Sequence, residues 1–263
     1  MQTFVGDLHR QRTLVAQLAL SDFRARFSGS ALGFLWAFVQ PLLTIVMYLF
    51  VYRVGFRPMP LGKIPFVLWL ITGIAPWFYF ADGLITSTSS LIEYSYLVKK
   101  VVFDVTIVPA IKLASAMMTH LVVLAVVMIV VAAFGFPPQL SWLQVPYYVF
   151  AVVTLLSGLS LLTSSLTVFL RDLAPAVAVG TQFMFWLTPV AWSLTNAPPG
   201  FARYLKLNPL VYVVEGMRDA LLTGTWFWQK PLHTAYFWGV ALTLNVVGYA
   251  LFQRLRPHFA DVL

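Results

Sequence analysis

Between Lys112 and Arg171 the chain contains no Asp, Glu, Lys or Arg, and this uncharged run limits its fold more than any other feature. A soluble domain seldom leaves so long a stretch uncharged, because its loops must face water. A Gly-Phe-Pro-Pro turn at residues 135–138 divides the run into two apolar segments. Each has the roughly 20 residues that cross a ~30 Å hydrocarbon core, so we predict two membrane-spanning helices.

The composition supports the same interpretation for the whole chain. It is 60% hydrophobic and 10% charged, whereas globular domains carry about 25% charged residues. The absence of cysteine excludes disulfides and thiolate metal sites. The net charge of +8 suits anionic lipid headgroups or phosphate-bearing cargo. The first apolar stretch is too long for a cleavable signal peptide, so we expect no processing.

Charge-free windows predict an all-α polytopic membrane protein with six transmembrane helices. An even number places both termini on one side, and the distribution of basic residues favours the cytoplasm. The predicted spans are Phe34–Tyr52, Ile64–Leu84, Leu113–Phe134, Tyr147–Phe169, Ala176–Leu194 and Ala235–Gln253.

Two segments outside these spans have patterns of their own. Residues 1–33 combine helically spaced apolar side chains with arginines, which predicts a cytoplasmic amphipathic helix in the membrane interface. Residues 34–263 then form the six-span domain. Between the last two spans, Asn208 and Pro209 form an N-cap with proline at the first helical position, followed by a short helix towards Gly224. We expect a re-entrant or surface hairpin there, on the outer face.

Several kinds of chemistry are missing from the sequence. The predicted spans have no Asp, Glu, Lys or Arg near their centres, which disfavours an ion-coupled carrier, although backbone carbonyls could bind sodium. No glycine-rich nucleotide loop is present. Gly158-Leu159-Ser160 is similar to an intramembrane protease nucleophile, but the sixth span supplies no histidine base and His120 lies alone in the third. We therefore expect no catalytic, cofactor-binding or metal residues, and no nucleic-acid partner.

Polar residues within the spans leave alternatives open. Ser157, Ser160, Ser164 and Thr167 share one helical face, which predicts a close packing seam or, alternatively, a polar path. We expect His120, alone in the third span, to be a packing histidine with a carbonyl partner.

Six segments have an order and spacing that are informative together. They are RFSGSALGFLWAFVQPL at 26–42, SLIEYSYLVKKV at 90–101, RDL at 171–173, WLTP at 186–189, LNPL at 207–210 and LFQRLRPHFAD at 251–261. Over nearly the whole chain this arrangement resembles one family, the ABC-transporter permeases that export polysaccharides such as O-antigen, teichoic acid or capsule.

The resemblance implies a homodimeric, multi-pass permease in a bacterial inner membrane. Two separate ABC ATPase subunits would bind ATP and Mg and supply the energy, while this chain would hold no cofactor. The cargo would be a lipid-linked polysaccharide, with O-antigen first among the possibilities. Teichoic acid, capsule, or a small lipid or drug are the alternatives within the superfamily, and an ion-coupled carrier or membrane enzyme is the alternative of a different class.

The resemblance also suggests roles for particular residues. Coupling to the ATPase would use Tyr96, Leu97, Val98, Lys99 and Lys100, although the two lysines could instead bind lipid headgroups. Arg24 and Arg26 could bind a pyrophosphate carrier or simply anchor to anionic lipid.

Aromatic and outer-segment residues complete the set of candidates. Sugar rings can pack on aromatic faces, although aromatic residues also form interfacial belts. The candidates for a glycan path are Tyr48, Trp77, Phe78, Phe80, Phe183, Phe185 and Trp186. The candidates for an outer gate are Asn208, Pro209, Glu215, Arg218 and Asp219, the last three of which could simply stabilise the hairpin.

Overall fold

The computed structural model describes residues 11–29, 33–51, 64–98, 104–194 and 198–263. Within these ranges every regular element is a helix. The α-helices are α1 (Arg12–Phe27), α2 (Trp36–Val51), α3 (Phe66–Thr88), α4 (Ser90–Glu93), α5 (Ser95–Val98), α6 (Val108–Ala133), α7 (Val145–Thr167), α8 (Leu173–Leu187), α9 (Pro199–Leu205), α10 (Pro209–Arg218), α11 (Pro231–Leu255) and α12 (Phe259–Val262). Short 3₁₀ segments precede α2, α6, α7, α11 and α12, and a π-helical turn, Asp219–Thr223, follows α10.

Four helical segments of the described chain are long and apolar enough to cross a membrane: Phe66–Thr88, Val105–Ala133, Leu140–Thr167 and Pro231–Val262. They coincide with the second, third, fourth and sixth predicted spans. The other two correspond to shorter helices, α2 with 16 residues and α8 with 15. Helix α8 ends at Leu187 because Thr188 precedes a proline and adopts extended backbone angles.

Helix α3 lies at the centre of the bundle, with most of its side chains buried. It packs against α6, α7 and α10, whereas α2 has far fewer contacts with the rest of the described chain. This unequal packing leaves a cavity of 430 Å³ between α2 and helices α1, α3 and α6.

The most extensive helix pair is α7 with α11. A Cβ on Gly158 would lie 2.6 Å from the backbone nitrogen of Asn245, so only glycine permits this approach. Ser157 donates a hydrogen bond to Oδ1 of Asn245 across the same contact, at 2.6 Å. Here the hydroxyl-bearing face of α7 is a packing seam, as the first of the two sequence interpretations proposed.

The bundle has two chemically distinct ends. Helix α1 packs against the beginning of α6, with Val15, Ala19 and Phe23 buried, close to the last turns of α3. Helix α10 packs at the opposite end, against the first turns of α3 and α7. We refer to these as the α1 end and the α10 end.

Candidate functional site

The α1 end contains a network of charged side chains from four helices. The ammonium group of Lys112, on α6, lies 2.6 Å from Oδ1 of Asp22 on α1 and 2.6 Å from a carboxylate oxygen of Glu93 on α4. Arg26, one turn after Asp22, donates from Nη1 to Asp82 of α3 at 2.7 Å. This network ties α1 to the bundle through charges rather than through apolar packing alone.

Asp22 and Tyr94 have perturbed pKa values at this end. Burial acts to raise the pKa of Asp22, but the hydrogen bond and positive charge of Lys112 outweigh it and hold that pKa below its usual 3.8. Burial and the Asp22 carboxylate raise the pKa of Tyr94, whose hydroxyl donates to Asp22 Oδ1 at 3.0 Å. Asp22 is thus an ionised acceptor at neutral pH, and Tyr94 a protonated donor.

The two arginines predicted to bind a headgroup have different environments. Arg24 is exposed, and none of the ion pairs of the described chain involves it. Arg26 is half-buried and already paired with Asp82 and, more distantly, with Asp22 at 3.5 Å. The structure therefore leaves Arg24 available to an anion and commits most of the charge of Arg26 to carboxylates.

The predicted coupling segment is only partly described. Tyr96 lies on α5 with 59% of its side chain exposed, next to Tyr94. Leu97 and Val98 continue that helix, and Lys99 and Lys100 lie outside the described residues.

The seven aromatic residues predicted to line a path fall into three groups. Tyr48, Trp77, Phe80 and Phe185 pack on one another, with Tyr48 and Phe185 stacked at 5.3 Å and Trp77 against both Phe80 and Phe185. Phe183 and Trp186 project outward from α8, 68% and 60% exposed. Phe78 lines a cavity of 430 Å³ between α1, α2, α3 and α6. The sequence did not distinguish these groups, because all seven residues are alike in size and polarity.

The α10 end is organised around the buried guanidinium of Arg218. It donates to the backbone carbonyls of Trp69, Pro189 and Val190 at 2.7–3.1 Å and to the carboxylate of Glu215 at 2.6 Å. Its carbon also lies 3.4 Å from the centre of the Trp69 ring. Gly73 makes room for it, since a Cβ there would collide with the guanidinium. Arg218 thus joins α10 to α3 and to the segment after α8.

The other predicted gate residues lie around this centre. Asn208 caps α10 by accepting from the Leu210 amide at 3.0 Å, as predicted, and donates to Thr188 at 2.8 Å. Pro209 occupies the first turn of that helix. Asp219 forms an ion pair with Lys230 at the start of α11. Glu215, Asp219 and Lys230 line a pocket of 230 Å³ together with three tyrosines, Tyr148, Tyr212 and Tyr236.

Sequence reasoning missed the partners in both networks. Asp22, Glu93 and Lys112 received no role, although the chain contains only 9 acidic residues and an acid between apolar neighbours on a helix indicates a buried cation nearby. No sequence pattern distinguishes Trp69, or the carbonyls of Pro189 and Val190, from the other residues of their segments.

Comparison with known proteins agrees with the membrane architecture. Residues 13–222 match the family described as ABC-2 type transporter. The chain is 31% identical over 252 residues to the O-antigen export system permease protein RfbA of Klebsiella pneumoniae, covering 95% of each chain. It is 28% identical to a protein of the same name from Myxococcus xanthus, over 99% of each.

A more distant relative is the polysialic acid transport protein KpsM of Escherichia coli, at 25% identity over 92% of this chain and 93% of that one. All three similarities extend over almost the full length, so they include both ends of the bundle and the apolar helices between them. A family match over residues 13–222, together with four helices able to cross a membrane, shows that this chain is a multi-pass membrane protein belonging to the ABC-2 type transporter family.

Proposed function

We propose that this chain is the permease subunit of an ATP-driven exporter that moves a lipid-linked polysaccharide, of the O-antigen type, across a bacterial inner membrane. The observation that carries the proposal is the 31% identity to an O-antigen export permease over 95% of both chains. The helical bundle is compatible with that activity, and the sequence contains no nucleotide loop, so ATP and Mg would be bound by partner subunits.

The full complex would contain two copies of the chain and two ATPase subunits, in a membrane whose lipids surround the bundle. Helices α2 and α8 would complete a six-span domain at residues 34–263, with residues 1–33 as the interface segment and both termini cytoplasmic. Both helices have large exposed apolar side chains, such as Phe50 on α2 and Phe183 on α8, and a second copy would cover part of that surface. The α1 end would then face the cytoplasm and the α10 end the outside.

Within this arrangement, the segment 96–100 would couple ATPase closure to the bundle, with exposed Tyr96 making the first contact. Arg24 would meet the anionic lipid head, because its guanidinium is exposed and outside the ion network. Helices α9 and α10, with Asn208, Pro209, Glu215, Arg218 and Asp219, would form the outer gate hairpin. The exposed Phe183 and Trp186, together with Phe78, are the aromatic residues best placed to contact sugar; the buried members of the predicted set support them.

Capsule export is the second candidate, because the similarity to the polysialic acid transport protein also spans nearly the whole chain. The lower identity, 25% against 31%, favours O-antigen.

Complementation in two deletion strains tests both candidates. One strain lacks its O-antigen permease and the other its capsule permease, and each receives this chain with its neighbouring ATPase. We expect surface O-antigen on lipopolysaccharide gels in the first strain only. Restored capsule alone would favour the second candidate, and restoration of neither polymer would contradict the proposal.

A double variant, Tyr96→Ala with Leu97→Ala, tests the coupling role. We expect surface polymer to disappear while the protein remains in the membrane, since a contact rather than the fold is removed. The control is Leu140→Ala, an exposed apolar side chain outside both the proposed coupling segment and the proposed gate. Normal export by the double variant would contradict the coupling role of this segment.

A further inference from the structure

The pocket of 230 Å³ at the α10 end lies beside the helices proposed to form the outer gate. Residues of α7, α10 and α11 line it, together with Lys206 at the end of α9. Sites for drug-sized ligands measure ~300–1,000 Å³. This pocket is smaller, so it fits a single sugar ring rather than a length of polymer.

The charges around the pocket favour an anionic ligand. Both carboxylates that line it already have a cation, since Glu215 is paired with the buried Arg218 and Asp219 with Lys230. Lys206 is exposed, and none of the ion pairs of the described chain includes it. An uncommitted cation beside neutralised carboxylates gives the pocket a net positive charge, which attracts an anion.

Lys206 does not act alone at this pocket. His233, on the first turn of α11, also lines it and is exposed. Lys206 and Lys230 both lie close enough to His233 to interact with it electrostatically. An anion placed among the three would be attracted by two ammonium groups and can accept a hydrogen bond from the imidazole. These side chains come from the end of α9 and the start of α11, so only the folded chain brings them together.

The walls of the pocket indicate that the anion belongs to a ring. Tyr212 and Tyr236 line it, and 39% of Tyr236 is exposed. Both rings are held by their hydroxyls: Tyr236 donates to the carbonyl of Leu207 at 2.7 Å, and Tyr212 pairs with Tyr147 at 2.7 Å. The C–H face of a sugar packs on aromatic faces that are fixed in this way. A bare inorganic anion would make no use of them.

Glu215 provides an acceptor for the hydroxyls of such a ring. Its Oε1 atom accepts from Arg218 at 2.6 Å, and 33% of its side chain is exposed. A carboxylate can accept several hydrogen bonds. The charge of Glu215 is therefore balanced by Arg218, while its remaining lone pairs can accept from a sugar hydroxyl. A ligand with both an anionic group and hydroxyls uses both halves of the pocket.

We propose that the pocket lined by Lys206, Glu215, Lys230 and His233 binds one carboxylate-bearing sugar unit of the cargo, with Lys206 as the main contact of the carboxylate. This inference rests on the proposed function, because the ligand is taken to be part of an exported glycan. It gives the outer gate a preference for acidic sugar units over neutral ones.

The absence of cysteine in the native chain allows a direct test of occupancy. The variant Leu194→Cys places a thiol in the wall of the pocket. The control is Leu207→Cys, whose native side chain is 57% exposed and does not line the pocket. Each full-length variant is placed in nanodiscs of phosphatidylcholine, which contain no anionic lipid, and the rate of labelling by N-ethylmaleimide is measured.

The probes separate the carboxylate from the ring. Methyl glucuronoside and methyl glucoside have the same ring and differ in the carboxylate. Glycerol phosphate represents an anionic lipid headgroup, and inorganic phosphate is an anion without any organic part. We expect millimolar methyl glucuronoside to slow labelling of Leu194→Cys several-fold and to leave Leu207→Cys unchanged. Methyl glucoside and the two phosphates should protect much less.

Variants of Lys206 test its part in binding. Adding Lys206→Gln to Leu194→Cys should weaken the apparent affinity for methyl glucuronoside about tenfold, the effect of one lost charge-assisted hydrogen bond. Lys206→Arg keeps the charge and should retain most of the affinity. Arg203→Gln is the matched control, because it removes an exposed charge of α9 that does not line the pocket, and it should leave the affinity unchanged.

Several outcomes would overturn the inference. They are no protection by methyl glucuronoside, equal protection by methyl glucoside, protection that survives Lys206→Gln, and an equal loss in Arg203→Gln. Stronger protection by glycerol phosphate or inorganic phosphate would also overturn it, since the pocket would then bind a headgroup or a free anion. Failure of this test leaves the proposed function intact if the unmodified chain still restores surface O-antigen. Failure of complementation by the unmodified chain would instead contradict the proposed function.

Discussion

The two ends of the bundle stabilise their buried charges in different ways. At the α10 end a single buried cation, Arg218, is surrounded by fixed backbone carbonyls and one carboxylate. At the α1 end, cations and carboxylates from four separate helices pair with one another, and several remain partly exposed. Backbone acceptors move only with the main chain, whereas paired side chains can exchange partners.

This difference suggests how the ends contribute to transport. At the α10 end three of the four hydrogen-bond partners of Arg218 are backbone carbonyls, so this end suits a gate that moves as one body. The α1 end has interchangeable ion pairs next to the proposed ATPase contact, so it suits a joint that rearranges during each cycle. Four variants test this contrast, beginning with the largest expected effect.

Arg218→Met should be the most destabilising change. It removes the hydrogen bonds to three carbonyls and leaves Glu215 without its cation. Breaking a buried charge pair in this way should lower the free energy of unfolding by about 3–5 kcal/mol. The thermal unfolding midpoint in detergent micelles measures it. The control is Arg203→Met on α9, where the native side chain is exposed. Equal midpoints for the two variants would contradict a central role for Arg218.

Gly216→Ala, also at the α10 end, should have the next largest effect on stability. Its new methyl group would overlap the ring of Tyr148, which is itself buried, and such overpacking costs about 1–3 kcal/mol. Gly239→Ala is the matched control, because nothing lies within 4 Å of the corresponding Cβ. Alanine there should be neutral or stabilise the helix by up to ~1 kcal/mol. Similar stability of the two variants would show that the α10 end is more adaptable than we propose.

Lys112→Met should lower the free energy of unfolding by about 1–3 kcal/mol, less than Arg218→Met, because Glu93 is half exposed and its carboxylate can be solvated by water. Asp22 is buried and would lose its closest cation. The double variant with Asp22→Asn should recover part of the loss, and a double-mutant cycle on unfolding in urea measures the coupling. Strict additivity of the two changes would argue against a shared network.

The smallest expected effect is the pH dependence of the stability that the Asp22 carboxylate contributes. Because its folded pKa lies below 3.8, the ionised carboxylate stabilises the folded state, fully above pH 3.8, and this contribution is lost as pH falls through the lower folded value. The difference in unfolding midpoint between the wild type and Asp22→Asn should therefore be constant above about pH 5 and shrink under acid. A constant difference down to pH 3 would contradict the depressed pKa of Asp22.

Much of the architecture could be predicted from local patterns. Four of the six predicted spans coincide with helices long enough to cross a membrane, and the Asn208-Pro209 cap begins its helix as expected. The shortness of α8 was missed, because a proline after Thr188 ended the helix within an uninterrupted apolar window. Hydropathy is an average over all residues of such a window, whereas a single proline is enough to end a helix.

The sequence alone determined that this is a helical membrane protein, since that property depends on long apolar segments without charged residues. Tertiary structure alone decided which aromatic residues are buried and why Arg218 is tolerated. Those properties depend on contacts between helices far apart in the chain, such as Arg218 with Trp69. No pattern of neighbouring residues encodes such contacts.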